Sequence, residues 1–369
     1  MTSAAVCDLK APDAASAGPG GARAWMDHNL RMNDIMTIGT HNSYKQTISE
    51  PIMQIVKRAA PEAWVGLDYT HPPLLEQLDD GARAIELDIY HDPVGGLYAH
   101  PAGMRLTHQE ISPDYVAAMS RPGMKVQHIQ DIDFVSSVLT YVEGLQVIRA
   151  WSLGRPDHVP ILITMNTSDG PSRMPGGAEA PLFDAAAYDA LDAEIASVFP
   201  PGAVITPDIV RGDYPTLRHA VLERGWPSLG EARGKVLIAV DETGRKREAL
   251  RGARKSLEGR MCFVNSEEEA DDNAYYTLNE MSDGPRIARL VKAGFIVRTR
   301  ADADTVEARS NDTSRRDWAL NSGAQYVSTD YRHPETRLSG YQVRLPEGQI
   351  AVANPRRSPE RCAGIAIEP

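Results

Sequence analysis

The stretch Ile35-Met-Thr-Ile-Gly-Thr-His-Asn-Ser-Tyr44 decides how the rest of the chain is read. Its apolar start, Ile35 to Ile38, predicts a buried strand, and Gly39 marks a point where the backbone needs room. A base (His41), an amide oxygen (Asn42) and a hydroxyl (Ser43) follow at once. Polar groups just past a buried strand sit at the rim of a sheet, the usual seat of chemistry in α/β folds. Taken alone, so short a run fits equally a turn whose His and Asn cap the next element. A second stretch, Ala84-Ile-Glu-Leu-Asp-Ile-Tyr-His91, followed by Gly96-Leu-Tyr-Ala-His-Pro101, tips the balance toward chemistry.

Outward from these two strands the same grammar repeats. Further short apolar runs lie at 159–165, 203–206, 235–240, 261–265, 295–299 and 325–329. Helical spacing marks 51–60, 74–80, 129–153, 183–199, 215–224, 285–293 and 314–322, with Gly81 as a helix stop. Eight apolar strands alternating with helices imply parallel pairing and predict a single-domain α/β fold, a (β/α)8 TIM-like barrel. Residues 24–340 would form it, preceded by a flexible arm (1–23) and followed by a tail (341–369) packed on the barrel. Residues 96–100 would add a hairpin after the second strand. The 369 residues suffice, since such a barrel takes roughly 250 before insertions.

Composition narrows the partners. With 42% hydrophobic residues a sizeable core is available, and a net charge of −11 opposes general nucleic-acid binding. No apolar run reaches the length of a transmembrane helix. Residues 1–21 are rich in Ala, Gly, Pro and Ser and lack the apolar centre of a secretory signal. Of the three cysteines, Cys262 and Cys362 could pair and leave Cys7 over, but spacing proves no bridge. No feature specifies an oligomeric state.

Barrel chemistry belongs at the carboxyl ends of strands. Those ends carry His41, Asn42, Glu86, Asp88, Asn166, Asp241, Asn265, Arg298 and Asp330. Glu86 and Asp88 are two apart in a strand and so face the same way, where they repel unless a cation or proton intervenes. With Asn42 they make an all-oxygen set suited to a hard cation, whereas a surface ion pair is the plainer alternative. His100, twelve residues beyond Asp88, is the best placed of several nearby histidines (His71, His91, His108). Two histidines flanking a hard cation are the apparatus of phosphodiester cleavage: one takes a proton from the attacking hydroxyl, the other protonates the leaving oxygen.

On these residues the chain resembles the calcium-dependent phosphoinositide-specific phospholipases C of compact bacterial type. The resemblance rests on His41-Asn42-Ser-Tyr, Glu86-Leu-Asp88 and His100, with Val297-Arg-Thr-Arg-Ala-Asp302 and Ser322-Gly-Ala-Gln-Tyr-Val-Ser-Thr-Asp-Tyr331 as a second anchor. Glycerophosphodiester phosphodiesterases are wider relatives; they usually carry His-Arg-Gly where this chain has His-Asn-Ser.

The resemblance implies a peripheral, commonly secreted or periplasmic enzyme that cleaves phosphatidylinositol, or a related phosphodiester, to diacylglycerol and a cyclic or open inositol phosphate. His41 and His100 would be its base and acid. Ca²⁺, in preference to Mg²⁺, would sit on Asn42, Glu86 and Asp88. The family's third acidic ligand is replaced here by Asn166, so either Asn166 or Asp241 completes the set. Arg298 would grip phosphate or ring hydroxyls, with a rim ion pair to Glu86 or Asp330 as the alternative, and Tyr331 would stack on the ring. The lysines expected after Leu237-Ile238 for extra ring phosphates are absent, which favours the singly charged lipid. Trp64, Val65, Leu67 and Tyr69 would offer an apolar rim to a membrane. A glycerophosphodiester phosphodiesterase acting on soluble deacylated phospholipids is the alternative function.

Overall fold

In the computed structural model, which describes residues 21–358 and 366–368, two parallel sheets are built from the predicted alternation. The strands are β1 (Ile35–Thr40), β2 (Ala84–Glu86), β3 (Ile89–Asp92), β4 (Gly123–Val126), β5 (Ile161–Met165), β6 (Val236–Val240), β7 (Phe263–Val264), β8 (Tyr275–Thr277), β9 (Ile296–Arg300), β10 (Tyr326–Thr329) and β11 (Ala351–Ala353). One sheet runs β2-β5-β6-β7, all parallel. The other runs β8-β9-β10-β1 in parallel and continues into antiparallel β11.

The two sheets meet at both edges. Arg83 N–H donates to the Ile38 carbonyl at 2.9 Å, which joins β1 to the start of β2. Asn265, just past β7, forms a parallel bridge with Tyr275 of β8. Gly39 is required at the first junction, because a Cβ there would overlap the Ala84 carbonyl. The strands are mostly apolar, as burial on both faces demands, and Ile85, Ile163, Ile238, Val240 and Val264 are inaccessible to solvent.

Several expected elements form as read: α-helices at Glu50–Ala59, Leu74–Asp79, Gly284–Ala293 and Ser314–Ser322. The Leu74–Asp79 helix ends before Gly81, whose φ of +91° suits a residue without Cβ. Other expectations are corrected. Residues 203–206 contribute only a single bridge, Val204 to Val236, and the parallel strand missing from the count is Tyr275–Thr277.

The helix expected at 129–153 starts at Tyr141, because Thr140 caps it by accepting from Glu143 N–H at 3.2 Å. Residues upstream are tied instead to the His41 loop: Ser137 N–H donates to Tyr44 O and Gln46 N–H to Val135 O. Residues 96–100 form turns and no hairpin, and the strand that folds back on β3 is β4. A helix over Gly21–Asn29 spans the expected arm boundary. Cys262 is buried, whereas Cys7 and Cys362 lie outside the described residues.

Candidate active site

The chain leaves β1 at Thr40, and His41 and Asn42 turn it sharply. Asn42 takes φ +45°, a conformation that Asn tolerates better than most residues. Ser43 then laces the turn to β2: its N–H donates to the Glu86 carbonyl at 3.0 Å, and its Oγ accepts from Glu86 N–H at 2.9 Å. The first and second sequence motifs are thereby held side by side.

His41 has partners on both ring nitrogens. Its Nδ1 lies 2.9 Å from Asp330 Oδ1, and Arg300 Nη1 lies 3.2 Å from its Nε2. A carboxylate accepts and a guanidinium donates, so both neighbours select the neutral tautomer with the proton on Nδ1 and the lone pair on Nε2. Burial lowers the imidazole pKa below its usual value and Arg300 adds to this, partly offset by the charges of Asp330 and Glu86. Asp330 also pairs with Arg300 at 3.1 Å. Burial opposes the charge on Asp330, but His41, a hydrogen bond from His71 and Arg300 outweigh it and hold this carboxyl well below the carboxylate range.

The acidic cluster continues from here. Glu86 Oε1 is 4.0 Å from His41 Nε2, and its Oε2 is bonded to Arg298. Against the cost of burial, Arg298, His41 and Arg300 keep Glu86 ionised. Asp88 accepts from Asn166 N–H at 2.8 Å and from Tyr44 Oη–H at 3.1 Å. Burial and the charge of Glu86 push the Asp88 pKa up to about 7. Asn166 donates through its amide to the Asp241 carbonyl at 2.7 Å. Asp241 accepts from Asn265 at 3.1 Å, and burial raises its pKa to about 6.

Seven of the nine expected site residues are therefore linked: His41, Asn42, Glu86, Asp88, Asn166, Asp241 and Arg298. Arg298 stands as the Glu86 ion pair, 2% exposed and further held by Ser328 Oγ at 2.8 Å. His100 stands apart, exposed and with no side-chain partner among the described residues. Tyr331 is buried edge-on against Tyr341 and lines a cavity of about 440 Å³ behind Asp330. Tyr69, expected at an apolar rim, is buried; its hydroxyl accepts from Asn42 at 2.9 Å and its ring stacks beside His41. Trp64 lies between the cations of Lys57 and Arg309.

Arg300 and the His128–Asp133–Lys45 group were not anticipated. Arg300 could have been found, since it is two residues from Arg298 on one strand and shares its face. His128 Nδ1 is 2.8 Å from Asp133 Oδ2, which also pairs with fully buried Lys45 at 3.2 Å. Burial disfavours protonation of His128, but its hydrogen bond to Asp133 and the charges of Asp133 and Asp88 raise its pKa.

The fold is that of known bacterial enzymes. A calcium-dependent phosphoinositol-specific phospholipase C from Pseudomonas sp., in a structure with myoinositol, superposes with a TM-score of 0.52 at 16% identity. That match covers 88% of this chain and 95% of the other. A Ca²⁺-dependent phosphatidylinositol-specific phospholipase C from Streptomyces antibioticus gives 0.52 at 15% identity, covering 82% and 95%. No curated protein sequence matches the chain. The profile of the family described as "Phosphoinositide phospholipase C, Ca2+-dependent" matches residues 30–355, so the chain belongs to that family. It is a phosphoric diester hydrolase of the phospholipase C type, its substrate is a phosphoinositide and its cofactor is Ca²⁺.

The donors present fit that ion. Among the described residues no three His, Cys, Asp or Glu side chains converge as a ready cage, so amide oxygens must contribute. Asp88 and Asp241 are buried carboxyls with no ion-pair partner among the described residues, and burial, with the charge of Glu86 adding to it, raises their pKa values to about 7 and about 6. A hard cation relieves that arrangement.

Proposed function

We propose that the chain cleaves phosphatidylinositol to diacylglycerol and a cyclic inositol phosphate, with His41 as general base and His100 as general acid. The observation that carries the reading is the doubly fixed tautomer of His41. Asp330 holds the proton on Nδ1, and the lone pair on Nε2, once Arg300 turns from it to the substrate phosphate, accepts the proton of the attacking ring hydroxyl. Arg300 caps that nitrogen and is the residue that meets the substrate phosphate; Arg298 is engaged with Glu86. Asn42, Glu86, Asp88 and Asn166 or Asp241 would hold Ca²⁺, which would stabilise the charge that grows on the attacking and phosphoryl oxygens. His100, exposed to the departing lipid, protonates its oxygen.

Phosphatidylinositol itself is favoured over its phosphorylated forms. The cations that follow β6 are already paired, Arg245 with Asp169 and Lys246 with Glu242. Our reading includes closure of the eight parallel strands into one (β/α)8 barrel over 24–340. The described tail residues from Tyr341 to Ser358 lie against it, a placement supported by burial of Tyr341, Val343, Leu345 and Val352 beside Ile38 and Val327. It also includes action outside the cytoplasm at a membrane surface; no helix of the described residues is long and apolar enough to cross one.

The test is release of diacylglycerol from phosphatidylinositol vesicles with Ca²⁺, with a chelator, and by His41→Ala. Calcium-dependent release lost in the variant is expected. Turnover of glycerophosphoinositol without any vesicle cleavage would instead make the enzyme a glycerophosphodiester phosphodiesterase.

A further inference from the structure

Between the Glu50–Ala59 helix and the 129–132 segment runs an apolar trench of about 330 Å³, within the range of small-molecule sites. Half-buried Ile55 and Leu67 form one wall, Ile129 and Ile132 another, and Met174 closes the side. The only charged lining residue is Arg173, which is exposed and has no partner among the described residues. Ile129 and Arg173 also line an adjoining polar hollow of about 270 Å³ that holds Tyr90, His128 and Ser168.

The trench is clasped to the segment bearing His100. Asp131 accepts from Ala102 N–H at 2.7 Å through one oxygen and from Ala178 N–H at 2.8 Å through the other. Arg105 donates to the His100 carbonyl at 3.4 Å and to the Gly176 carbonyl at 2.8 Å. These bonds tie the 100–105 segment to Asp131 and Gly176, the immediate neighbours of Ile132 and Pro175 in the trench wall.

We propose that this trench holds an acyl chain of the diacylglycerol leaving group, with Arg173 at its mouth facing the phosphodiester. The inference rests on the phospholipase reading and adds a subsite to it. Charge complementarity selects the occupant: a singly charged anion bearing an apolar tail matches one unpaired guanidinium set at the end of an apolar channel. Fixing the tail there aligns the leaving oxygen with His100, so chain length is felt in catalysis and not only in membrane binding.

Monomeric dibutyroyl- and dihexanoyl-phosphatidylinositol, both below their micellar concentrations, provide the test. Full burial of a methylene is worth about fourfold, so the two added per chain should raise kcat/KM on the order of tenfold. Ile132→Asp and Ala59→Trp, which charge or fill the trench, should cut that increment to about twofold or less. Ala59 is exposed on its helix, so the second variant decides the matter should the first not fold. An increment that survives in folded Ala59→Trp, or is missing from the wild type, overturns the subsite and leaves the phospholipase standing. Cleavage of glycerophosphoinositol with neither lipid touched overturns the phospholipase reading itself.

Discussion

Replacing Asp330 by Asn tests the proposed mechanism at its base. The carboxylate lies 2.9 Å from His41 Nδ1 and 3.1 Å from Arg300, and its side chain is about 1% exposed. An Asn of the same shape can present its amide N–H to Nδ1, which moves the imidazole proton to Nε2 and removes the lone pair that accepts the substrate proton. General-base catalysis contributes about 10²–10⁴-fold, so kcat should fall by roughly 10³-fold, about 4 kcal/mol of transition-state stabilisation. KM should change less than kcat, because Asp330 reaches the substrate only through His41 and Arg300. The pH profile supplies a second readout. Burial and Arg300 hold the His41 pKa down, and Asp330 is the first of the charges that raise it. With that carboxylate gone the pKa falls further, so the acidic limb of kcat/KM, where His41 becomes protonated, should move to lower pH. Stopped assays on phosphatidylinositol vesicles across the pH range, with circular dichroism to verify folding, measure both effects. A folded variant with kcat within about threefold of the parent and an unmoved limb would refute the assignment.

Three further outcomes follow from the same geometry. Asp88 titrates near 7 and Asp241 near 6 when folded, against an ordinary 3.8, so the metal-free protein should lose stability as pH rises from about 4 to about 7. Calcium must displace those protons, and the rise in Tm that it produces should be larger at pH 8 than at pH 5; equal rises would exclude these carboxyls as ligands. Arg298→Ala leaves Glu86 buried without its cation and should cost about 3–5 kcal/mol in urea unfolding, with a loss under about 1 kcal/mol counting against the ion pair. His100→Ala should depress kcat about 10²-fold or more at unchanged Tm, whereas His128→Ala should lower Tm by freeing buried Asp133. If only His128→Ala abolished turnover in a folded protein, the acid would be His128.

The parts legible in the sequence were those fixed by local pattern. Ile35–Ile38 and Ile161–Met165 announce themselves because a strand buried on both faces must be continuously apolar. Tyr275–Thr277 did not, since it follows the acidic run Glu267–Asp272 and is too short to show a period. The 129–140 segment has genuine helical spacing, yet the backbone bonds of Ser137 and Gln46 to distant residues pull it straight. Thr140 with Glu143 is a capping signature that would have placed the true start. Within the site, the alternation that put Glu86 and Asp88 together also applies to Arg298 and Arg300. What no local rule could supply is which arginine meets which acid. Glu86 takes Arg298 and Asp330 takes Arg300 because the packing of the strands, not sequence distance, sets who faces whom.

That division of partners explains why the site keeps both arginines and still suits a divalent ion. Glu86, Asp88, Asp241 and Asp330 share one buried rim, and only Arg298 and Arg300 oppose them directly. Each arginine is spent on the carboxylate nearest His41, where a fixed positive charge preserves the geometry of the base at any metal concentration. The remaining two carboxyls, Asp88 and Asp241, are the ones whose pKa values rise, so the uncompensated charge is concentrated on the side of the rim toward Asn166. A third buried acid, Asp302, is likewise pushed up to about 7 by burial and the charge of Asp330, and its oxygens are engaged by the Thr329 hydroxyl and by Asp330 N–H. The two carboxyls that lack an arginine thus lie in one place. On the proposed mechanism a single divalent ion would meet both at once, whereas an arginine for each would crowd the rim with further fixed charge. The proposed base and the proposed metal ligands would then share one small rim, each with its own source of positive charge.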